Sequence, residues 1–346
     1  MTEVTEGDLR VNITDENIYI QHLLYNKVLN IEKNSGNITE SDLDILKDIK
    51  RTHLYKPHAL LGIILLENVE FIIFVKAAYF IGKIEDAEVY RVKEVELIPI
   101  ITEEKIDFLG SDIKNLVEGI KNLYTLGFFY SFNFDLTNSL QNQSKMKGLD
   151  ILTSANKKFF WNFCLYRNFY LTNQTNENED GNLNYNNNDN STLTLKINKI
   201  WMVVCIYGYV GIINSKINTN KNPEKTSVYL ISRRSIFHSG TRYLTRGVDD
   251  NGHVANHVET EQILKIRDNL FSFLQLRGAV PIFFEQPGIK ANTNITRNAE
   301  MTAPAFKKHI QEINEDFSFI YLINLMNVNK PNEHMITHNY ELQIKN

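Results

Sequence analysis

The spacing of apolar and polar positions changes several times along the chain, and those changes mark out its elements. Residues 1–55 are polar and weakly patterned. They predict a short strand at Ile18–Leu24 and a helix around Ser41–Lys50, with Ser41 as cap and Asp42 and Asp44 in the first turn, where the helix dipole favours negative charge. No function attaches to that segment. From Leu60 the apolar runs crowd together. Leu60–Leu66, a turn at Glu67–Asn68 and Val69–Val75 read as a β-hairpin, with Tyr79–Ile84 and Val89–Pro99 as further strands. Strands of this density point to an antiparallel layer with one face buried.

Ile113, Leu116, Val117, Ile120, Leu123 and Tyr124 then recur at helical spacing and predict a helix capped by Ser111 and closed by Gly127. Phe128–Phe134 alternates aromatic and small polar residues as a strand does. Residues 173–191, NQTNENEDGNLNYNNNDNS, hold too little apolar surface to offset the entropy of ordering them, and predict a disordered insertion at a domain boundary. Beyond it, Ile200–Ile213 reads as a buried strand carrying Trp201 and Cys205, and Val228–Ser232 as another. Leu270–Leu276 and Val280–Phe284 read as strands meeting at Arg277 and Gly278, and Ile320–Met326 as one more. A helix with Pro304 in its first turn runs to about Phe317, and Met335–Ile344 starts another. The expected fold is α/β, of the α+β kind: an antiparallel, β-rich domain with packed helices over residues 1–190, then a second domain over 195–346.

A length of 346 residues suits two domains or one large one, and 43% hydrophobic content suits a sizeable core. A net charge of −4 gives no overall pull toward nucleic acid, and no reader motif is present, so anion binding falls to a local patch. Cys164 and Cys205 lie in apolar runs and read as buried free thiols of a reducing compartment. The polar start MTEVTEGDLR does not read as a targeting peptide. The most apolar region, Ala59–Ile84, is interrupted by Glu67, Glu70 and Lys76, short of the ~18 unbroken apolar residues a spanning helix needs. A cytoplasmic protein, soluble or peripheral at membranes, is expected.

Candidate chemistry gathers between Leu230 and Leu264. Arg233, Arg234, His238, Arg242 and Arg246 are followed by Asp249, Asp250, Glu259 and Glu261, with Gly240, Gly247 and Gly252 between them. Guanidinium forks suit phosphate oxygens and glycine lets the backbone approach a ligand; the plainer alternative is a solvated loop of Arg–carboxylate pairs. Arg233, Arg242, Arg246 and Arg277 read as walls of a basic groove for an anionic group. Asp249 and Asp250 read either as general acids toward a leaving oxygen or as turn formers in V-D-D-N-G. His253 and His257, with Glu259 and Glu261, have metal-ligand spacing. Val254, however, stands where an HExxH site has Glu, and Asn251 and Gly252 argue for a turn, so neither metal nor cofactor is expected.

The strings SRRS, SGTRY, RGVDDNGHVAN and VETEQIL, in that order, and then LQLRGAVPIFFEQ at Leu274–Gln286, resemble the Sac domain, the phosphoinositide phosphatase module of the Sac and synaptojanin families. Asp135–Thr137 with Ser139–Gln141, and FFWN at Phe159–Asn162, are similar to further family signatures. TRNAEMTAPAFKKHI (Thr296–Ile310) and NEHMITHNYELQI (Asn332–Ile344) look more like the synaptojanin type. The resemblance runs from about residue 60 onward. It implies hydrolysis of phosphate monoesters on phosphoinositide headgroups in membranes, and makes residues 195–346 the first half of a mixed-sheet phosphatase domain. It also implies a Cys-x5-Arg loop whose thiolate attacks phosphorus. Here the matching position after Cys164 is Tyr170, and after Cys205 it is Gly211, so neither cysteine fits. The chain is therefore expected to be a truncated piece of an enzyme without turnover of its own, or else a non-catalytic phosphoinositide-binding module for membrane recruitment.

Overall fold

The computed structural model describes residues 1–47, 49, 53–106, 109–171, 194–218, 223–241, 244–286, 288, 292–317 and 319–345, so the predicted Asn-rich insertion lies outside the described residues. Two compact units divide the chain, Met1–Ile212 and Ile213–Asn346, whereas the sequence placed the change at 190–195.

The first unit opens with strand β1 (Thr2–Val4) and then β2 (Leu9–Ile13), β3 (Asn17–His22), β4 (Lys27–Glu32), β5 (Ile38–Asp42) and β6 (His53–Tyr55). The last five form an antiparallel sheet in the order β5-β4-β3-β2-β6. Each strand carries only one to three apolar residues, among them the fully buried Val11, Ile18, Ile20, Leu29 and Ile31, which is too short a run to show a clear period. Among the described residues of the span Ser41–Lys50 the expected α-helix is absent. Ser41 pairs with Val28 on β4, and only a 3-10 turn, Leu43–Leu46, follows, with Asp42 at its N-cap. Ladder pairing outweighs local helical preference there.

β7 (Ala59–Leu66), β8 (Val69–Ile84) and β9 (Ala87–Pro99) build the main sheet, continued by β10 (Phe128–Tyr130). β8 runs unbroken through Lys76, where the register shifts, so the two strands predicted there are one. Its side chains alternate between two cores. Ile72 and Phe74 join the residues of the small sheet; Phe71, Ile73 and Val75 face Val92, Phe128, Ile113 and Tyr124. Over residues 71–75 the strand is buried on both faces and wholly apolar, so the layer expected to bury one face buries two here.

The helix Ser111–Tyr124 covers the second core, with Gly110 at the N-cap and Ser111 its first residue. Ile113 and Tyr124 are buried, whereas Leu116 and Leu123 are exposed, so the apolar stripe is narrower than its spacing suggested. Gly127, at φ 146°, leads into β10 and does not close the helix. The strand predicted to Phe134 stops at Tyr130. Short pairs β11 (Tyr170–Leu171) and β12 (Thr194–Leu195) precede β13 (Cys205–Asn218), which pairs with β10; Trp201 sits before it in a 3-10 turn. Cys205 is buried as expected, but Cys164 is exposed on the 3-10 segment Phe163–Phe169.

In the second unit β14 (Pro223–Arg234), β15 (Val258–Ile266) and β16 (Asn269–Arg277) make an antiparallel meander. The strand predicted at Val280–Phe284 shrinks to β17 (Phe284–Glu285), paired with β18 (Asn294–Ile295). A helix runs Ala299–Asp316, capped by Asn298, whose side chain accepts from Met301 N–H, and Pro304 falls inside it instead of in the first turn. Residues 320–326 form no strand, and Tyr321, Ile323 and Leu325 are almost fully exposed. The helix Pro331–Lys345 ends the described chain.

Candidate functional site

β14 delivers Arg233 and Arg234 at its end, and strand alternation sends them to opposite faces. Arg233 is wholly buried. It stands opposite Glu259 on β15, whose Oε1 lies 2.5 Å from Nη1, and Glu261 Oε2 accepts from Nη2 at 2.7 Å. Ser272 Oγ donates to Glu261 at 2.6 Å. Residues i and i+2 of a strand share a face, so the acidic pair of VETEQ is spaced to hold one guanidinium. A buried charge persists only with such partners. Arg233 thus lies on the buried face of the meander and not in a groove, and both carboxylates that share metal-ligand spacing with His253 and His257 are turned on it.

Arg234, on the other face, donates to Gly240 O at 2.6 Å and to Asn256 Oδ1, and Gly240 N–H reaches the same amide oxygen at 3.3 Å. With Ser235 N–H on His257 O at 2.8 Å, these bonds tie the loop 235–257 to its stem. The sequence reading gave neither Arg234 nor Asn256 a role, although both stand in the strings SRRS and HVAN.

Inside the loop Asp249 accepts N–H bonds from Asn251 at 2.9 Å and His253 at 2.8 Å, and its second oxygen lies 3.2 Å from His253 Nδ1. The His253 ring stacks on Phe237 at 4.5 Å. Burial works against the charge on Asp249, but the bonds from His253 outweigh it and hold the carboxyl below its ordinary range. Asp250 is exposed, clasped by Arg297, which lies over the Phe283 ring at 3.7 Å; that pairing likewise lowers its carboxyl. Carboxyls held ionised are poor proton donors, and their geometry here is that of turn and clamp. Arg297 is a further contributor that the pattern did not flag.

The glycines approach the fold itself. A Cβ on Gly247 (φ 67°) would stand 2.4 Å from Ile282 O, and one on Gly252 (φ 90°) 2.8 Å from His309 N on the helix Ala299–Asp316. Arg246 is half-buried and donates to Gln286 Oε1 at 2.9 Å. Arg277 ends β16 exposed, and Arg242 lies outside the described residues.

The two earlier signatures are buried polar networks. Asp135 accepts from Thr137 N–H at 2.8 Å, Thr137 Oγ1 at 2.6 Å and Asn138 Nδ2 at 2.7 Å. Asn162 donates to Leu61 O and Val203 O and accepts from Cys205 N–H. Burial pushes the Cys205 thiol far up, away from the thiolate.

Comparison with known proteins agrees with the strings on these elements. The SacI homology domain matches residues 58–346. The chain is 30% identical over 265 residues to synaptojanin-2 of Rattus norvegicus (74% of this chain, 15% of that protein) and 29% over 299 residues to synaptojanin-1 of Homo sapiens (83% and 17%). It is 32% identical over 290 residues to phosphatidylinositol-3-phosphatase SAC1 of Saccharomyces cerevisiae (82% and 42%). The chain belongs to the SacI homology domain family. It spans less than half the length of each of these relatives. Among the described residues no helix is long and apolar enough to cross a membrane.

Proposed function

We propose that the chain belongs to a phosphoinositide phosphatase that acts on phosphate monoesters of phosphatidylinositol phosphates, peripherally at cytoplasmic membrane faces. The observation that carries this reading is the SacI homology match over residues 58–346, with a relative named for phosphatidylinositol-3-phosphatase activity. Arg246 and Arg277, with Arg242 on the strength of its place in SGTRY, are the groups proposed to meet the anionic headgroup, because guanidinium binds phosphate oxygens in pairs. Asp249 and Asp250 are assigned to shaping the loop.

Neither cysteine is suited to attack phosphorus. Cys205 is buried and Cys164 has no arginine at the required spacing, so these 346 residues alone are expected to bind without hydrolysing. The second reading is a non-catalytic module that binds phosphoinositides and recruits the protein to membranes. The test pairs vesicle binding with phosphate release. Phosphoinositide vesicles should bind more tightly than phosphatidylserine vesicles of equal charge, and Arg246→Ala with Arg277→Ala should weaken that binding about tenfold. Equal affinity for both lipids would defeat the headgroup assignment. Phosphate release abolished by Cys164→Ser would defeat the prediction of no turnover.

A further inference from the structure

One face of the β14-β15-β16 meander buries Arg233, Glu259, Glu261, Ile231 and Ile263. The opposite face is built from rows fixed by the register. Val228, Leu264 and Phe271 stand side by side, then Leu230, Gln262 and Phe273, then Ser232, Thr260 and Gln275, and last Arg234, Val258 and Arg277. Phe271 is 57% exposed and Phe273 61%, and Val228 is exposed beside them; at the far corner Thr226 is covered. Two adjacent phenylalanines left in water with aliphatic neighbours form a patch that calls for a partner.

The charge on that face says which partner. No position in these rows is acidic, because both glutamates of β15 lie on the other face, held by Arg233. The ionisable residues in the rows are Arg234, engaged with Gly240 and Asn256, and the exposed Arg277. Arg277 lies four residues from Phe273 on the same side of the strand, about 13 Å at the usual rise per residue. Exposed aromatics grading into arginine, with carboxylates removed, match the boundary between acyl chains and anionic headgroups.

We propose that this face docks on an anionic lipid bilayer, with Phe271 and Phe273 entering the headgroup–acyl boundary and Arg277 meeting lipid phosphates. The proposal rests on the reading of the chain as a protein that works on membrane lipids, but it needs no phosphoinositide recognition. The experiment therefore uses vesicles of phosphatidylcholine and phosphatidylserine without phosphoinositide, and the full 346-residue chain. The chain should co-sediment with them, and Phe271→Ser with Phe273→Ser should weaken binding about tenfold or more. Arg277→Glu should weaken it at least about fivefold. A Phe273→Trp reporter should shift its emission to the blue on vesicles and be quenched by brominated acyl chains; circular dichroism of each variant controls for folding. Undiminished binding by the double variant, or a reporter that stays water-exposed on vesicles, overturns the proposal. So does failure of the wild-type chain to bind these vesicles, and so does a self-associating chain that the double variant makes monomeric, which would assign the face to a second copy. Adding phosphoinositide at constant surface charge reads the headgroup assignment separately. No gain there, with binding to phosphatidylserine intact, defeats that assignment and leaves the docking face standing.

Discussion

Two arginines of one motif-rich stretch separate at the level of single residues. Arg233 is enclosed by two carboxylates and Arg277 is in water, so their removal should differ sharply. Arg233→Ala leaves buried charge without its partner and should cost about 3–5 kcal/mol in urea unfolding, while Arg277→Ala should stay within about 0.5 kcal/mol. His58 offers a pH-dependent counterpart. Its Nδ1 lies 2.6 Å from the Tyr130 hydroxyl, and burial brings the imidazole down to about 4, against smaller upward pulls from Asp8 and Glu88. Above pH about 6.5 the ring is neutral whether the chain is folded or unfolded. As pH falls toward 4 the unfolded chain takes up a proton that the folded chain refuses, so stability is lost with acidification, by up to roughly 3 kcal/mol. His58→Gln should remove that component from the difference between unfolding curves at neutral and acid pH.

At the scale of elements, the loop 235–257 is held by backbone closeness as much as by side chains. Gly252 combines φ 90° with contact against the helix Ala299–Asp316, so Gly252→Ala should cost about 2 kcal/mol or more and speed amide exchange in both. A turn free of that helix would tolerate alanine. The same elements explain what the sequence made readable. β8 is apolar on both faces over residues 71–75 and was evident apart from its continuity through Lys76. β2 to β5 place only a few apolar residues each and were missed, except for the piece at Ile18. Residues 320–326 carry a strand pattern, yet no partner strand meets them among the described residues.

For the whole molecule, each compact unit has buried clusters of its own, and the charge balance of −4 leaves anion binding to local geometry. Duplex DNA should therefore neither shift the protein in a gel at near-physiological salt nor displace it from anionic vesicles. Displacement would mean that a general polyanion surface had been mistaken for a lipid-directed one.

The sequence by itself determined the family, the density of antiparallel strands, and the lack of a Cys-x5-Arg string; that β8 lies between two cores came only from the structure. The features that the sequence determined depend on residue order and on periods within a single element. It could not assign partners to the arginines, because Arg233 and Glu261 are 28 positions apart and meet only through the register of β14 and β15. Nor could it show that Gly247 and Gly252 make room for the protein's own backbone. Which face of a strand is covered, and which cation is already paired, are decided by contacts between distant segments, and the tertiary structure alone brings those segments together.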